Sequence, residues 1–426
     1  MRILVLGAGG FIGRHVVARL LADGHEVTGV ARSTGALEQA FPQARWLAMD
    51  LGKAIRPADW SGALGGIEGI INCAGVLRGP DMDPVYVAMP RALHAAAQVA
   101  GVHRVVLLSA ISARPEVRTD YAQSKLAGEA ALRESGLEWT ILRPSLVYAE
   151  GSYGGTSLMR GLAALPWAVP VPAGSGHGFS PIHAADLAQA AARACTDPAL
   201  AGQVLEPCGP RSYELRELLA LYRGWLGFGA ARFLPVPIPL MRLLGRAGDL
   251  IGSGPVSTNS LQQLLAGNAG DGAAFAARAG FTPRQLESAL RASPAQVQDR
   301  WHARLFFLAP AVRWVLALLW FASALAGFLY GAEWTQRFGA AAGIPPELAE
   351  LARLGMSALD VGIGLLVLLD RRGKWATMVQ LAVVLGYTLA LGWFLTALWT
   401  DPLGSLLKNL PILALVLVHG AIADSR

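Results

Sequence analysis

Charge is scarce in this chain. Aspartate, glutamate, lysine and arginine supply only 15% of its 426 residues, against roughly 25% in soluble domains. The shortage is uneven. Beyond Arg304 the sequence becomes long apolar runs, and seven of its twelve tryptophans lie past residue 300. That distribution excludes a wholly soluble chain and points to a soluble part joined to a membrane part. Cysteine is nearly missing: Cys73, Cys195 and Cys208 stand alone, without metal-ligand spacing. Their scatter excludes a disulfide framework and a metal site, and it fits a reducing compartment. Lysine occurs only at Lys53, Lys125, Lys374 and Lys408; of 36 lysines and arginines, the other 32 are arginine. The net charge of +6 forms no basic stripe, so nucleic acid is not an expected partner.

The length exceeds one ordinary domain, and two or three are expected. The opening "MRILVLGAGGFIGRH" has one basic residue before its apolar run, and glycines interrupt that run. It reads as a strand entering a turn, not as a signal peptide. Gly7, Gly10 and Gly13 are spaced GxxGxxG between an apolar strand and an amphipathic helix that opens with Phe11 and Ile12. Glycines there let the backbone turn sharply and approach a pyrophosphate, which would sit on the free N–H groups of the helix N-terminus. A second strand ends in Ala31 and Arg32, where a chain preferring NAD usually has an acid. A planar guanidinium suits a 2'-phosphate, so NADP is the expected cofactor and NAD the alternative.

Further strands end at Asp50, at "NCAG" (Asn72 to Gly75), at "RVVLLSA" and at "LRPSLVY", with helical text between them. Strand and helix alternating in this way predict an α/β fold with a doubly wound parallel sheet. Its ligand belongs at the carboxyl ends of the strands, where these motifs fall. In "YAQSK", Tyr121 and Lys125 lie one helical turn apart on one face.

These pieces, with "PIHAADLAQA", follow the order seen in the short-chain dehydrogenase/reductase superfamily, and residues 1–210 resemble its extended or atypical branch. The resemblance implies that Tyr121 donates or accepts a proton and that Lys125 holds the nicotinamide ribose. An ammonium close to the phenol is expected to lower its pKa. In the family a serine or threonine follows the fifth strand to bind the substrate oxygen; aligned on that strand the slot holds Ala110, and either Ser109 beside it or Ser112 just beyond serves, or neither does. Gly7, Gly10, Phe11, Ile12, Gly13, Arg32, Asp50, Ala74, Lys125 and Pro144 are the expected cofactor contacts. Ser145 is placed with Pro144 beside the nicotinamide. His183 and Asp186 are expected to start a helix, with Asp186 as its cap.

Residues 211–303 are expected to form a small substrate lobe, in which "FLPVPIPLMRLLGRAGDLIG" is apolar and basic together, as suits a surface near lipid. Four apolar stretches follow, at about 311–330, 351–369, 375–398 and 406–422, each near the ~20 residues of a spanning helix. Residues 304–426 resemble the DoxX-like four-helix membrane family, some relatives of which are linked to quinone-dependent oxidation. "RRGK" at 371–374 should face the cytoplasm, which places the nucleotide domain there too, on a multi-pass protein of the cell inner membrane. Asp360, midway along the second stretch, is expected either to mark a site, paired with Arg353 or His419, or to be a protonated acid bonded within the bundle.

The leading expectation is a membrane-anchored, NADP(H)-dependent oxidoreductase acting on an apolar, lipid-like or quinone-like carbonyl or alcohol. Two alternatives stand beside it. One is a non-catalytic NAD(P)H-binding accessory or sensor protein of a membrane redox assembly; the other is an epimerase or dehydratase acting on nucleotide sugars. A transporter gated by nucleotide has only Asp360 in its favour.

Overall fold

The computed structural model describes all residues except 77, 78, 80, 81, 175–177, 252–257, 371, 403 and 424–426. The described residues fall into two compact units, Met1–Ala303 and Arg304–Arg426.

In the first unit, seven strands form one parallel sheet: β1 (Arg2–Leu6), β2 (Glu26–Ala31), β3 (Arg45–Ala48), β4 (Gly69–Asn72), β5 (Arg104–Leu108), β6 (Glu138–Leu142) and β7 (Gln203–Leu205). Their order across the sheet is β7-β6-β5-β4-β1-β2-β3. The winding reverses between β1 and β4, where ligands of such sheets bind. Register brings the strand ends together. Leu6 pairs with both Val30 and Asn72, Asn72 with Leu107, and Leu108 with Leu142. The loops carrying the expected site residues therefore leave one edge of the sheet.

Helices cover both faces, and the central strands read as continuous apolar runs because they are buried on two sides. On one face Val16, Val17 and Leu20 pack with Leu187, Ala188 and Ala191 of the helix Ala184–Thr196. A second core gathers Trp60, Leu93, Ala97 and Leu132 with Ile70 and Val105. A third joins Tyr148, Met159 and Phe179 to Tyr213, Leu218, Leu219 and Tyr222. That small lobe draws on residues before 211 as well as after, through the pairing of Val169–Pro172 with Phe233–Val236. The apolar-basic segment forms the helix Ile238–Ile251 and leaves Leu240, Leu243 and Leu244 exposed; residue 252, the segment's last, lies outside the described residues.

The second unit is helical. Among the described residues three helices, Val297–Tyr330 (whose first turns belong to the first unit), Pro346–Leu369 and Lys374–Phe394, are long and apolar enough to cross a membrane. Large apolar side chains such as Leu325, Leu365, Leu389 and Trp393 stand exposed on them, as lipid-facing helices require. The fourth apolar stretch is shorter than expected. Its helix runs only Asn409–Ile422, 14 residues, or about 21 Å at 1.5 Å per residue, less than the ~30 Å hydrocarbon core. Arg313 closes the end of the second long helix by donating to the carbonyls of Val367, Leu368 and Asp370 at 2.8–2.9 Å. Of the "RRGK" segment, residue 371 lies outside the described residues.

Asp360 is buried, but neither expected partner holds it. Ser323 and Tyr387 donate to its two oxygens at 2.7 and 3.2 Å. Arg353 pairs instead with Glu350 and donates to the carbonyls of Gly327 and Phe328. His419 lies beside Gly373.

Candidate active site

The glycine turn is shaped by close approach. Gly7 has φ +65°, a left-handed conformation that favours glycine, and a Cβ there would lie 3.0 Å from the backbone of Ala74. A Cβ on Gly13 would lie 2.2 Å from the Gly7 carbonyl oxygen, so the helix Phe11–Ala22 sits directly on the turn. Gly10 caps that helix without a side chain, and its first turn holds no acid. The positive end is therefore left for an anion. This cradle fits a dinucleotide pyrophosphate. Ile12 packs toward the core, while Phe11 stacks on Tyr153 with ring centroids 5.4 Å apart. Arg32 is exposed just past β2 and has no ion-pair partner among the described residues. Arg14 adds a second exposed guanidinium, whose Nε donates to the Gly9 carbonyl at 3.0 Å. It follows the glycine motif directly, a position that could have marked it in the sequence.

Asp50, past β3, is exposed and organises its own turn, accepting from the Gly52 amide at 3.1 Å with Lys53 3.8 Å away. Ala74 is buried and donates its amide to the Asn72 side chain at 3.0 Å. Pro144, past β6, is buried and accepts from the Ile111 amide at 3.0 Å. Ser145 donates to the Asn268 carbonyl.

Tyr121 and Lys125 stand on the helix Asp120–Arg133, whose start is capped by the Thr119 hydroxyl accepting from the Ala122 amide. Lys125 is buried, 6% exposed. Its Nζ donates to the Leu108 carbonyl at 2.8 Å and lies 4.5 Å from the ring centroid of Tyr86 and 5.8 Å from that of Tyr121. Burial brings the Lys125 ammonium down to about 8, opposed by the nearby Cys73 and Glu129. The phenol does not follow expectation. Burial raises Tyr121 to about 12, and the ammonium lies against its ring without lowering it. The Tyr121 hydroxyl makes no hydrogen bond to a described residue. Tyr86, a residue the sequence left unmarked, packs edge-on to Tyr121 at 6.1 Å. Its hydroxyl accepts from the Val76 amide and donates to the Val76 carbonyl. No local pattern distinguishes it from a core tyrosine.

The serines divide. Ser109 is buried and donates to Glu129 at 2.6 Å. Glu129 is fully buried and also receives Arg133 and Arg143, at 3.1 and 2.7 Å. Ser112 is buried too, but its hydroxyl makes no hydrogen bond to a described residue. The helix Ala184–Thr196 is capped by His183, which accepts from the Ala185 amide at 3.2 Å, and not by Asp186. Asp186 instead holds Arg284 at 2.8 Å. No group of three or more metal-binding side chains occurs among the described residues.

A doubly wound sheet, a glycine cradle at its first turn and a tyrosine–lysine helix beside it define a nucleotide-binding, oxidoreductase-like domain. Residues 7–198 match the NAD(P)H-binding family model and residues 317–417 the DoxX-like family model. The two matches fall on separate parts of the chain, the first on the unit with the parallel sheet and the second on the helical unit. It is 28% identical over 268 residues to the mitochondrial NADH dehydrogenase [ubiquinone] 1 alpha subcomplex subunit 9 of Mus musculus, covering 59% of this chain and 67% of that one. It is 28% identical over 267 residues to a ceramide reductase of Caulobacter vibrioides, covering 61% and 80%. It is 25% identical over 254 residues to the photosystem II assembly factor Ycf39 of Synechocystis, covering 57% and 73%. An NADPH-dependent quinone oxidoreductase from Escherichia coli, solved with NADPH, shares the fold at TM-score 0.55 and 20% identity, over 68% of this chain and 99% of that one.

Proposed function

We propose that this protein is a membrane-anchored, NADPH-dependent reductase of an apolar carbonyl compound. The observation that carries the reading is the Tyr121–Lys125 pair on one helix, in a domain whose glycine turn is shaped for a dinucleotide. NADPH is favoured over NADH by two exposed guanidinium groups, Arg32 and Arg14, near the turn.

A nicotinamide held at this site would supply hydride for the carbonyl carbon of a substrate. Tyr121 gives its proton to the carbonyl oxygen, so ketone, hydride and proton together yield the alcohol. A phenol held at about 12 is a proton donor at neutral pH, not a base. Lys125, charged below about 8, would hold the ribose of the nicotinamide with its ammonium. Ser112, whose hydroxyl has no partner among the described residues, holds the substrate oxygen in place of Ser109, whose hydroxyl serves Glu129. Gly7, Gly10, Phe11, Ile12, Gly13, Asp50, Ala74 and Pro144 form the cofactor-binding surface around this pair.

The exposed leucines of the helix Ile238–Ile251 and the apolar helices of the DoxX-like unit favour a lipid-like substrate taken from the membrane. The similarity to a ceramide reductase supports the same class. We place the protein in the inner membrane with its nucleotide domain in the cytoplasm, from the basic residues Arg372 and Lys374 between the second and third long helices. Purified full-length protein in detergent should oxidise NADPH only when a long-chain ketone is supplied, with one alcohol formed per NADPH. Cofactor that binds but is never oxidised across such a panel would contradict the reading.

That second outcome defines the rival, a non-catalytic NAD(P)H-binding subunit or assembly factor. The engagement of Ser109 by Glu129 favours it, and two of the relatives bear such names.

A further inference from the structure

The DoxX-like unit holds a cavity that the proposed reduction leaves unused. It has a volume of about 240 Å³ and is lined by Ser323, Trp334, Phe338, Ser357, Asp360 and Tyr387, among others. That is roughly eight times the ~30 Å³ share of one water.

The polar groups on its wall are unequally engaged. Ser323 and Tyr387 both donate to Asp360. Thr335 donates to the Gly331 carbonyl at 2.8 Å. Arg353 is held by Glu350 and by two helix carbonyls. What remains is mainly acceptor capacity, with one hydroxyl that can accept or donate. The Asp360 oxygens, in a side chain 5% exposed, each keep a lone pair. Ser357, 4% exposed, makes no hydrogen bond to a described residue. Asp360 has no cationic partner among the described residues, and a buried carboxylate without one is costly.

An occupant that brings hydrogen-bond donors and positive charge would relieve that cost. The rings of Trp334 and Phe338 on the same wall favour a cation with an apolar body. An anion is disfavoured by Asp360, and a neutral hydroxyl would supply a donor but leave the charge uncompensated. We propose that this cavity binds a small protonated organic amine, its ammonium on Asp360 and Ser357 and its apolar part against Trp334 and Phe338. The inference concerns this unit alone and does not rest on the reductase reading.

The test compares benzylamine with its neutral isostere, benzyl alcohol, by calorimetric titration of the full-length protein in lipid nanodiscs. Benzylamine should bind saturably and about 10- to 100-fold more tightly than the alcohol, the range expected for a charged hydrogen bond. Asp360→Asn should abolish that preference while NADPH binding is kept. Ala390→Phe, which adds a ring to the cavity wall and keeps the carboxylate, should remove benzylamine binding and decides the matter where Asp360→Asn does not fold. Equal binding of amine and alcohol, a preference that survives Asp360→Asn, binding that survives Ala390→Phe, or no saturable binding would each overturn the proposal.

Discussion

The Ser109 hydroxyl donates to the fully buried carboxylate of Glu129 across 2.6 Å. Glu129 in turn holds Arg143, which follows β6, and Arg133, on its own helix. This network ties the end of β5 to the tyrosine–lysine helix and to β6, and it engages the serine that the motif alone would place on the substrate.

Ser109→Ala and Ser112→Ala should therefore differ. The first leaves a buried acid short of one donor and should lower stability by about 1–3 kcal/mol, with turnover per folded molecule kept. The second should leave the melting temperature nearly unchanged and lower kcat by about a hundredfold, as loss of one oxygen-stabilising donor does. Thermal melts and kcat measured on both variants separate the two roles.

The two guanidinium groups near the glycine turn predict cofactor choice. Arg32→Ala with Arg14→Ala should weaken NADPH binding about 10- to 100-fold and leave NADH binding almost untouched. Fluorescence titration with each dinucleotide reads this directly. Equal losses for both cofactors would remove the preference for NADPH.

The turn itself should tolerate little. In Gly13→Ala the new methyl would meet the Gly7 carbonyl oxygen at 2.2 Å. The helix must then shift, at a cost of about 1–3 kcal/mol, and NADPH binding should be lost before the fold is. Calorimetric melting with and without NADPH would show a stabilising shift in the parent and none in the variant.

Reduction should also fade on the alkaline side. Burial holds Lys125 at about 8, below the ordinary lysine range, so its ammonium is present below that pH and lost as pH rises through it. Tyr121, at about 12, stays protonated throughout. The profile of kcat/KM should thus have an alkaline limb near 8, set by the lysine. That limb should be absent in Lys125→Met, whose lower rate should be flat there.

Much of this was legible because it is local. The GxxGxxG turn between strand and helix, the one-turn spacing of Tyr121 and Lys125, and the apolar runs past residue 304 each carry their structure in a few neighbouring residues. What was hidden depends on distant partners. Ser109 meets Glu129 twenty positions away, and Asp360 meets Ser323 and Tyr387 from two other helices. The raised Tyr121 pKa reflects burial, which the spacing of the motif does not reveal. The cap is the imidazole of His183 because that residue stands just before the helix, whereas Asp186 lies within its first turn and holds Arg284, nearly a hundred residues on.

The most direct test of the reductase reading is the single-turnover rate of Tyr121→Phe against the parent. Both proteins would be loaded with NADPH and mixed with the long-chain ketone that the parent reduces. The variant should bind NADPH as the parent does and reduce the ketone at least about a hundredfold more slowly, since the phenolic proton is gone. A variant that reduces the ketone at the parent's rate would show that this hydroxyl moves no proton in the reaction.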